Sequence, residues 1–175
     1  MTKRTTPPIF FLLPALLFAA DSSGVRPRVD RSQYAVAMFN QSLAVAAELV
    51  PAAKVRKQFG SDVDSRYLVV EVGMFPKTRG PLEVRTGDFV LRVSRTRNTI
   101  SASLPKAILD LSETPKPAAT ELVAKCLPET STDKPVAGYL YFPVRDKTDG
   151  DNEYELEYRA QRIWMILPLR AGAPR

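Results

Sequence analysis

The chain contains no histidine, and its 175 residues include one cysteine and one tryptophan. Without histidine it lacks the commonest general base, the usual partner of a serine or cysteine nucleophile, and every histidine-ligated metal site. The single cysteine, Cys126, excludes an intramolecular disulfide and CxxC chemistry. We expect Cys126 to be a buried thiol that packs as a small hydrophobe, with pairing to another chain as the alternative.

Glycine is also scarce, with 8 residues against 15 prolines. Because proline has no N–H to donate to a helix or a sheet ladder, the elements must be short and the loops plentiful. A hydrophobic fraction of 45% with 25% charged residues is ordinary for one globular domain with a buried core. The net charge of +6 favours weak attraction to anionic surfaces, and no specific nucleic-acid binding is predicted.

The N-terminus has the pattern of an export signal. Lys3 and Arg4 precede an apolar run over residues 9–20, which is shorter than the run of about 20 apolar residues that a spanning helix needs. Residues 1–22 are therefore predicted to be a signal peptide, cleaved after Ser22 or a few residues earlier, with an uncleaved membrane anchor as the alternative. In both cases the protein is expected outside the cytoplasm, in the periplasm or secreted. The membrane is expected as a partner only through an uncleaved N-terminal segment.

Residues 23–42 are polar and irregular and are predicted to be a tether, although residues 34–39 fit either an early strand or a flexible arm. The domain proper is expected over residues 43–170, beginning with a strand at 43–49. One short helix should follow at 51–59. Proline at its first position, basic residues in its last turns and a glycine just past its end are typical of a helix.

The strand expected at the centre of the fold covers residues 66–75. Its even-numbered positions from 68 to 74 are apolar and lie on one face, while Tyr67, Glu71 and Gly73 lie on the other. This alternation is typical of a strand that is packed on one side. Turn sequences bound the segment at both ends, so we expect a separate element there.

Similar patterns predict further strands at residues 82–85, 88–94, 99–103, 136–144, 154–158 and 163–167. The last of these is apolar at every position, so it is expected to be buried on both faces or to pack the sheet under Trp164. Asp149-Gly150 predicts a hairpin that joins the two strands before it and after it. A helical turn is expected at 105–111, and the long crossover at 112–133, with a short helix at 121–126, has no assigned role.

About seven short strands, with turns between most of them and no alternation with long helices, predict a mainly β fold. We expect an immunoglobulin-like antiparallel β-sandwich with one short helix after the first strand. The cysteine pair that marks antibody domains is absent.

Four segments carry a resemblance to a known group. They are Phe-Gly-Ser-Asp at 59–62, Arg-Tyr-Leu-Val-Val-Glu-Val at 66–72, Gly-Tyr-Leu-Tyr-Phe-Pro at 138–143 and Tyr-Glu-Leu-Glu-Tyr at 154–158. Together they resemble a group of exported bacterial domains of unknown function with an immunoglobulin-like sandwich fold, over residues 43–169. The resemblance implies a fold and a compartment. It implies no activity, because the group has no catalytic motif to carry over.

One loop is rich in oxygen ligands of the kind that Ca²⁺ accepts: Asp146, Asp149, Asp151, Asn152 and Glu153. An EF-hand register with Gly150 at the sixth position would place Arg145 and Lys147 at ligand positions, which defeats that motif. The loop is therefore expected to be a charged hairpin tip.

Two other sets of residues are candidates for a site. Glu71, Glu155 and Glu157 have the chemistry of paired carboxylates, but outward positions on strands explain them. The tyrosines are expected to line adjoining strands, with an exposed aromatic platform for a partner or a glycan as the alternative: Tyr139, Tyr141, Tyr154 and Tyr158.

The sequence contains no phosphate loop, nucleophile elbow or metal-spaced pair, so no catalytic, cofactor-binding or metal-binding residue is predicted and the protein is not expected to be an enzyme. We expect a non-catalytic exported interaction module that contacts a protein or envelope partner through a sheet edge or loops. The alternative is a ligand- or ion-binding accessory domain that uses the acidic hairpin tip or the tyrosine face.

Overall fold

The computed structural model describes residues 23–78, 80–94, 96–111, 116–144, 153–160 and 162–170, which form a mainly β structure with antiparallel sheets. The strands are β1 (Val36–Phe39), β2 (Leu43–Leu49), β3 (Tyr67–Pro76), β4 (Leu82–Val84), β5 (Phe89–Val93), β6 (Thr99–Ser101), β7 (Thr130–Thr132), β8 (Val136–Pro143), β9 (Tyr154–Ala160) and β10 (Ile163–Leu169). The helices are α1 (Ala52–Phe59), α2 (Ser61–Arg66), α3 (Pro105–Leu111) and α4 (Lys116–Ala124).

Two four-stranded sheets make up most of the fold. Sheet 1 has the order β1-β2-β3-β8, and sheet 2 has the order β10-β9-β5-β6. The short strands β4 and β7 pair as a separate two-stranded sheet. The predicted strand at 43–49 is confirmed as β2, and the predicted central strand is confirmed as β3, which lies between β2 and β8.

The main core lies between the two four-stranded sheets. Alternate residues of β2, β3 and β8 face alternate residues of β5, β9 and β10 in one apolar cluster. Leu140 and Phe142 belong to it, at 1% and 0% exposure, as the alternation in β8 predicts. Because residues of both sheets share this cluster, the sheets pack against each other.

A second apolar cluster lies on the outer face of sheet 1. It joins Val55 and Phe59 of α1 and residues of the three other helices to Tyr139 and Tyr141 of β8. The prediction that β3 is packed on one side is therefore wrong, because Tyr67 and Val69 of β3 are buried in this second cluster. After the first strand the structure has two helices, α1 and α2, where one was predicted, while the helical segments predicted at 105–111 and 121–126 correspond to α3 and the end of α4. The four helices of the described residues all contribute to covering this face.

The predicted tether, residues 23–42, contributes to the covering of sheet 1. The Val25 N–H donates to the Ala137 carbonyl at 2.8 Å, and β1 adds an edge strand to β2. The side chain of Tyr34 is 3% exposed and lies over Gly73, where an added Cβ would come within 2.6 Å of the tyrosine oxygen. The structure therefore places a strand at 36–39 and a packed segment before it. We call residues 23–35 the strap.

Two further predictions about strands need correction. The strands expected to flank the Asp149-Gly150 hairpin do not pair with each other, because β8 pairs with β3 in sheet 1 while β9 pairs with β5 and β10 in sheet 2. The turn itself, within residues 145–152, lies outside the described part. β10 is not buried on both faces: Met165, Leu167 and Leu169 face the core, while Trp164 is 65% exposed.

The connectivity also differs from that of an immunoglobulin constant domain. Here β1, β2 and β3 follow one another in the same sheet, whereas the third immunoglobulin strand joins the opposite sheet. Within the described residues, no helix is long and apolar enough to cross a membrane.

Candidate functional site

The outer faces of the two sheets differ in how they are covered. The strap and the helices pack on the outer face of sheet 1, whereas the outer face of sheet 2 is open to solvent at several exposed side chains. The strand register brings together Trp164 opposite Arg159 and Ile166 opposite Glu157. We call the following residues the Trp164 surface: Arg92, Glu155, Glu157, Arg159, Trp164 and Ile166.

A carboxylate clamped by two guanidinium groups lies at the centre of the Trp164 surface. Glu157 is 0% exposed, although it points to the outer face of the sheet. One of its oxygens forms an ion pair with Arg92, without the alignment of a hydrogen bond, and the other accepts a hydrogen bond from Arg159. Arg92 also lies 3.8 Å from the carboxylate of Glu155. The cluster thus fixes both arginine side chains against the sheet.

An exposed indole lies beside this clamp. Trp164 is on β10, an edge strand of sheet 2, and the Arg159 guanidinium carbon lies 5.7 Å from the centre of its ring. The side chain of Arg159 is 52% exposed, so part of its guanidinium faces solvent. Exposed tryptophan and arginine are the residue types that most often anchor protein interfaces. Sequence reasoning missed this surface because it treated residues 163–167 as uniformly apolar rather than alternating.

The glutamates with the chemistry of paired carboxylates lie on different sheets. Glu71 is on β3 in sheet 1, while Glu155 and Glu157 are on β9 in sheet 2. Glu71 and Glu157 occupy outward positions on their strands, as predicted, but both are buried. Both are buried because arginine side chains cover them.

Arg28 of the strap is the residue that covers Glu71. It donates to both oxygens of Glu71, at 3.0 and 3.1 Å, and to Glu48 at 2.7 Å. Burial opposes the charge of Arg28, but the hydrogen bonds that it donates to Glu71 and then Glu48, with the negative charges of both carboxylates, outweigh burial and raise the pKa of the guanidinium. Carboxylates held in this way are structural ion pairs rather than a general acid and base.

The four tyrosines do not form a platform. Tyr139 and Tyr141 are in the second cluster, where the ring of Phe59 meets them edge-on at 5.6 and 6.0 Å. Tyr154 and Tyr158 are in the core between the sheets. All four are at most 8% exposed, which fits the expectation that they line strands.

The expectation that Cys126 is a buried thiol is confirmed. It is 3% exposed, its Sγ lies 3.4 Å from the carbonyl of Leu122, and burial raises its pKa to about 12. A thiol in this state is a poor nucleophile and a poor metal ligand. Cys126 therefore acts as a core residue.

The acidic loop lies outside the described residues except for Glu153, which is exposed and whose carbonyl accepts a hydrogen bond from the Ser94 N–H. Among the residues that the structure describes, no group of three aspartate, glutamate or cysteine side chains is placed to hold a metal ion. Two open clefts, of about 400 and 580 Å³, lie beside Ser131 and Arg97 respectively. Neither cleft contains the candidate glutamates or tyrosines.

Comparisons with known proteins add one similarity. No protein-family model matches the chain, and no curated protein matches its sequence. Among solved structures, the chain is similar to the crystal structure of a candidate lipoprotein (ycdA) from Bacillus subtilis, with 20% sequence identity and a TM-score of 0.42. The match covers 70% of this chain and 32% of that one, so the chain spans about a third of the length of that protein. At this score the similarity assigns neither a fold nor a function.

Proposed function

We propose that this chain is an exported, non-catalytic interaction module, with an immunoglobulin-like arrangement of two packed sheets, and that it contacts a protein partner through the Trp164 surface. The observation that carries the proposal is the difference between the two outer faces. The outer face of sheet 1 is covered from within the chain, while sheet 2 presents a 65% exposed tryptophan on its edge strand.

An exposed tryptophan contributes a large favourable free energy of binding when a partner covers it. A tryptophan side chain buries about 150–250 Å² in a full contact. At about 25 cal/mol/Å², covering the exposed two-thirds of Trp164 would contribute about 2–4 kcal/mol. That range is typical of a residue that dominates an interface.

The charges beside Trp164 indicate the chemistry of the partner. Glu157 already neutralises much of the charge of Arg92 and Arg159, and it holds both guanidinium groups in fixed positions. The exposed part of Arg159 retains N–H groups that fit a carboxylate. We therefore expect the partner to present an apolar pocket for the indole and an acidic side chain next to it.

Photo-crosslinking in the exporting cell tests the surface whatever the identity of the partner. A photoreactive phenylalanine analogue placed at position 164 should give a protein adduct of defined mass. The matched control is the same analogue at Leu104, another large hydrophobic residue, which is 56% exposed. Replacing Arg159 by glutamate should abolish the adduct at 164. No adduct at 164, or equal adducts at both positions, would contradict the proposal.

Export rests on residues 1–22 and is tested separately. Mass spectrometry of the native envelope fraction should find a mature N-terminus between about residues 20 and 25 if the leader is cleaved. Recovery of the intact chain from the cytosol would reject export. The alternative role, ligand or ion binding, gains no support from the described residues, because the tyrosines are buried and most of the acidic loop lies outside them.

A further inference from the structure

Five large hydrophobic side chains are exposed in the described part of the chain: Val29, Met38, Phe39, Leu104 and Trp164. Met38 and Phe39 are neighbours in β1 but point to opposite faces of sheet 1, because Met38 pairs with the core residue Val45 and Phe39 pairs with Ala44. Arg31 and Lys77 flank Phe39, and Val29 lies two residues before Arg31. We call these residues the Phe39 patch: Val29, Arg31, Phe39 and Lys77.

Two cations lie against the exposed ring of Phe39. This ring is 60% exposed, and the Arg31 guanidinium carbon and the Lys77 ammonium nitrogen lie 4.4 and 4.3 Å from its centre. The Lys77 ammonium also donates to the Asn40 carbonyl at 3.0 Å, which holds it beside the ring. Apolar and positively charged groups are therefore fixed side by side at the end of β1.

The turn that follows Phe39 is also fixed. The side-chain oxygen of Asn40 accepts hydrogen bonds from the backbone N–H groups of Ser42 and Leu43, both at 2.9 Å. The other part of the patch is organised by Gln33, which accepts from the Val29 N–H at 3.1 Å. Because hydrogen bonds hold both turns, the patch loses little conformational entropy on binding.

The shape of the patch favours a bilayer surface over a protein. Val29 is 93% exposed and Phe39 is 60% exposed, so their side chains project from a turn and from an edge strand instead of lining a pocket. A protein partner needs complementary shape around each such group, whereas the headgroup region of a bilayer accepts separate apolar tips. Basic side chains next to those tips attract anionic lipid.

The charge balance points the same way. Arg31 and Lys77 are opposed locally by Asp30, whose carboxylate accepts a hydrogen bond from the Ser32 N–H at 2.7 Å. The patch therefore keeps a net positive charge, on a chain whose net charge is +6. Arg28 and Lys54 add nothing to this balance, because their ion pairs with Glu48 and Glu71 make a group of two cations and two carboxylates.

We propose that the Phe39 patch docks the folded domain on an anionic bilayer surface, with Phe39 and Val29 entering the headgroup region and Arg31 and Lys77 contacting lipid phosphates. This contact is separate from the Trp164 surface and requires no protein partner. It also does not depend on the N-terminal segment, since the contact is made by residues of the domain.

A tryptophan probe at the patch tests the docking directly. The Phe39→Trp substitution in a Trp164→Phe background leaves one indole, at the patch. The full chain is mixed with vesicles that contain brominated lipid, either phosphatidylglycerol with phosphatidylcholine or phosphatidylcholine alone. The indole emission should be quenched in the anionic vesicles and much less in the neutral ones. Adding Arg31→Gln and Lys77→Gln should weaken vesicle binding about 30-fold, since each basic residue near the surface contributes about fivefold.

The matched control places the probe by Leu104→Trp in the same Trp164→Phe background. If residues 1–22 alone held the chain on the vesicle, the patch would not be brought to the lipid in particular. Docking through the patch therefore predicts stronger quenching from position 39 than from position 104. Equal quenching from positions 39 and 104, or equal quenching in neutral and anionic vesicles, would overturn the proposal. Absence of quenching, with a photoreactive group at 39 crosslinking to an envelope protein, would replace the bilayer by a protein partner.

Discussion

Gly73→Ala is expected to dislodge the strap, and this single methyl group tests how the N-terminal residues belong to the fold. Gly73 lies in the central strand β3, and its backbone conformation is one that alanine adopts readily. An added Cβ would lie 2.6 Å from the oxygen and 2.7 Å from the Cζ of Tyr34. Tyr34 is 3% exposed and tightly packed, so its ring must shift to accept the methyl group.

The magnitude follows from that clash. Overpacking a tightly packed site costs about 1–3 kcal/mol. Removal of the ring by Tyr34→Ala should cost about 3–5 kcal/mol, the range for large aromatic side chains. In the Tyr34→Ala background only the contact of the added Cβ with Phe75 Cε2, at 3.0 Å, remains, and the gain of about 0.5–1 kcal/mol from replacing a strand glycine offsets it, so Gly73→Ala should be nearly neutral. The two substitutions should therefore be coupled by about 1–3 kcal/mol, the cost of the clash with Tyr34.

Urea unfolding of the wild type, Gly73→Ala, Tyr34→Ala and the double variant, followed by circular dichroism, measures the coupling. Gly138→Ala is the matched control. There the added Cβ would lie 2.3 Å from the Cα of Leu127, a backbone atom that does not belong to the strap. This substitution should therefore cost the same free energy of unfolding with Tyr34 present and in the Tyr34→Ala background. If Gly73→Ala costs the same with and without Tyr34, the strap does not pack on β3 in solution and residues 23–35 are a tether, as their sequence predicts.

Three other predictions concern the core. Phe142→Ala should destabilise by about 3–5 kcal/mol in chemical denaturation, because the ring is fully buried between the sheets, and a loss below about 1 kcal/mol would contradict that position. Cys126 should react with a disulfide reagent at pH 8 at least about 100-fold faster in denaturant than in the native protein, since the native thiol is buried and retains its proton; similar rates would contradict this. Burial raises the pKa of Tyr158 from its ordinary value near 10 to about 12, so the native state retains a proton that the unfolded state loses. The free energy of unfolding should therefore fall between about pH 10 and 12, and Tyr158→Phe should make that fall shallower; an unchanged slope would refute the assignment.

The strands were predictable because their side-chain period is local. The positions of β2 and β8 follow from alternation over seven or eight consecutive residues, and the same alternation places Leu140 and Phe142 in the core. The helix α1 was predictable for a similar reason, because proline, basic residues and glycine mark its ends within ten residues.

Features that depend on distant partners could not be predicted in this way. Arg28 looks like a tether residue in the sequence, but its partner Glu71 lies 43 residues further on. The Asp149-Gly150 signal is local, whereas the sheet that each flanking strand joins is decided by pairing with β3 and β5. A turn signal therefore indicates a reversal of the chain without showing that the two strands pair with each other.

The two outer faces also differ in composition, and this difference separates stability from binding. On sheet 1 the outward positions Ala46 and Gly73 pair with each other, and Ala46 is fully buried, so small residues there leave room for a cover. On sheet 2 the outward positions carry Trp164 and Arg159, which are large and exposed. Substitutions on the first face should therefore change the free energy of unfolding, while substitution of Trp164 on the second should change partner contact at nearly constant stability, since exposed sites usually shift stability by less than about 0.5 kcal/mol. Period-two alternation does not separate these faces; what separates them is the cover that the strap and the helices provide on sheet 1.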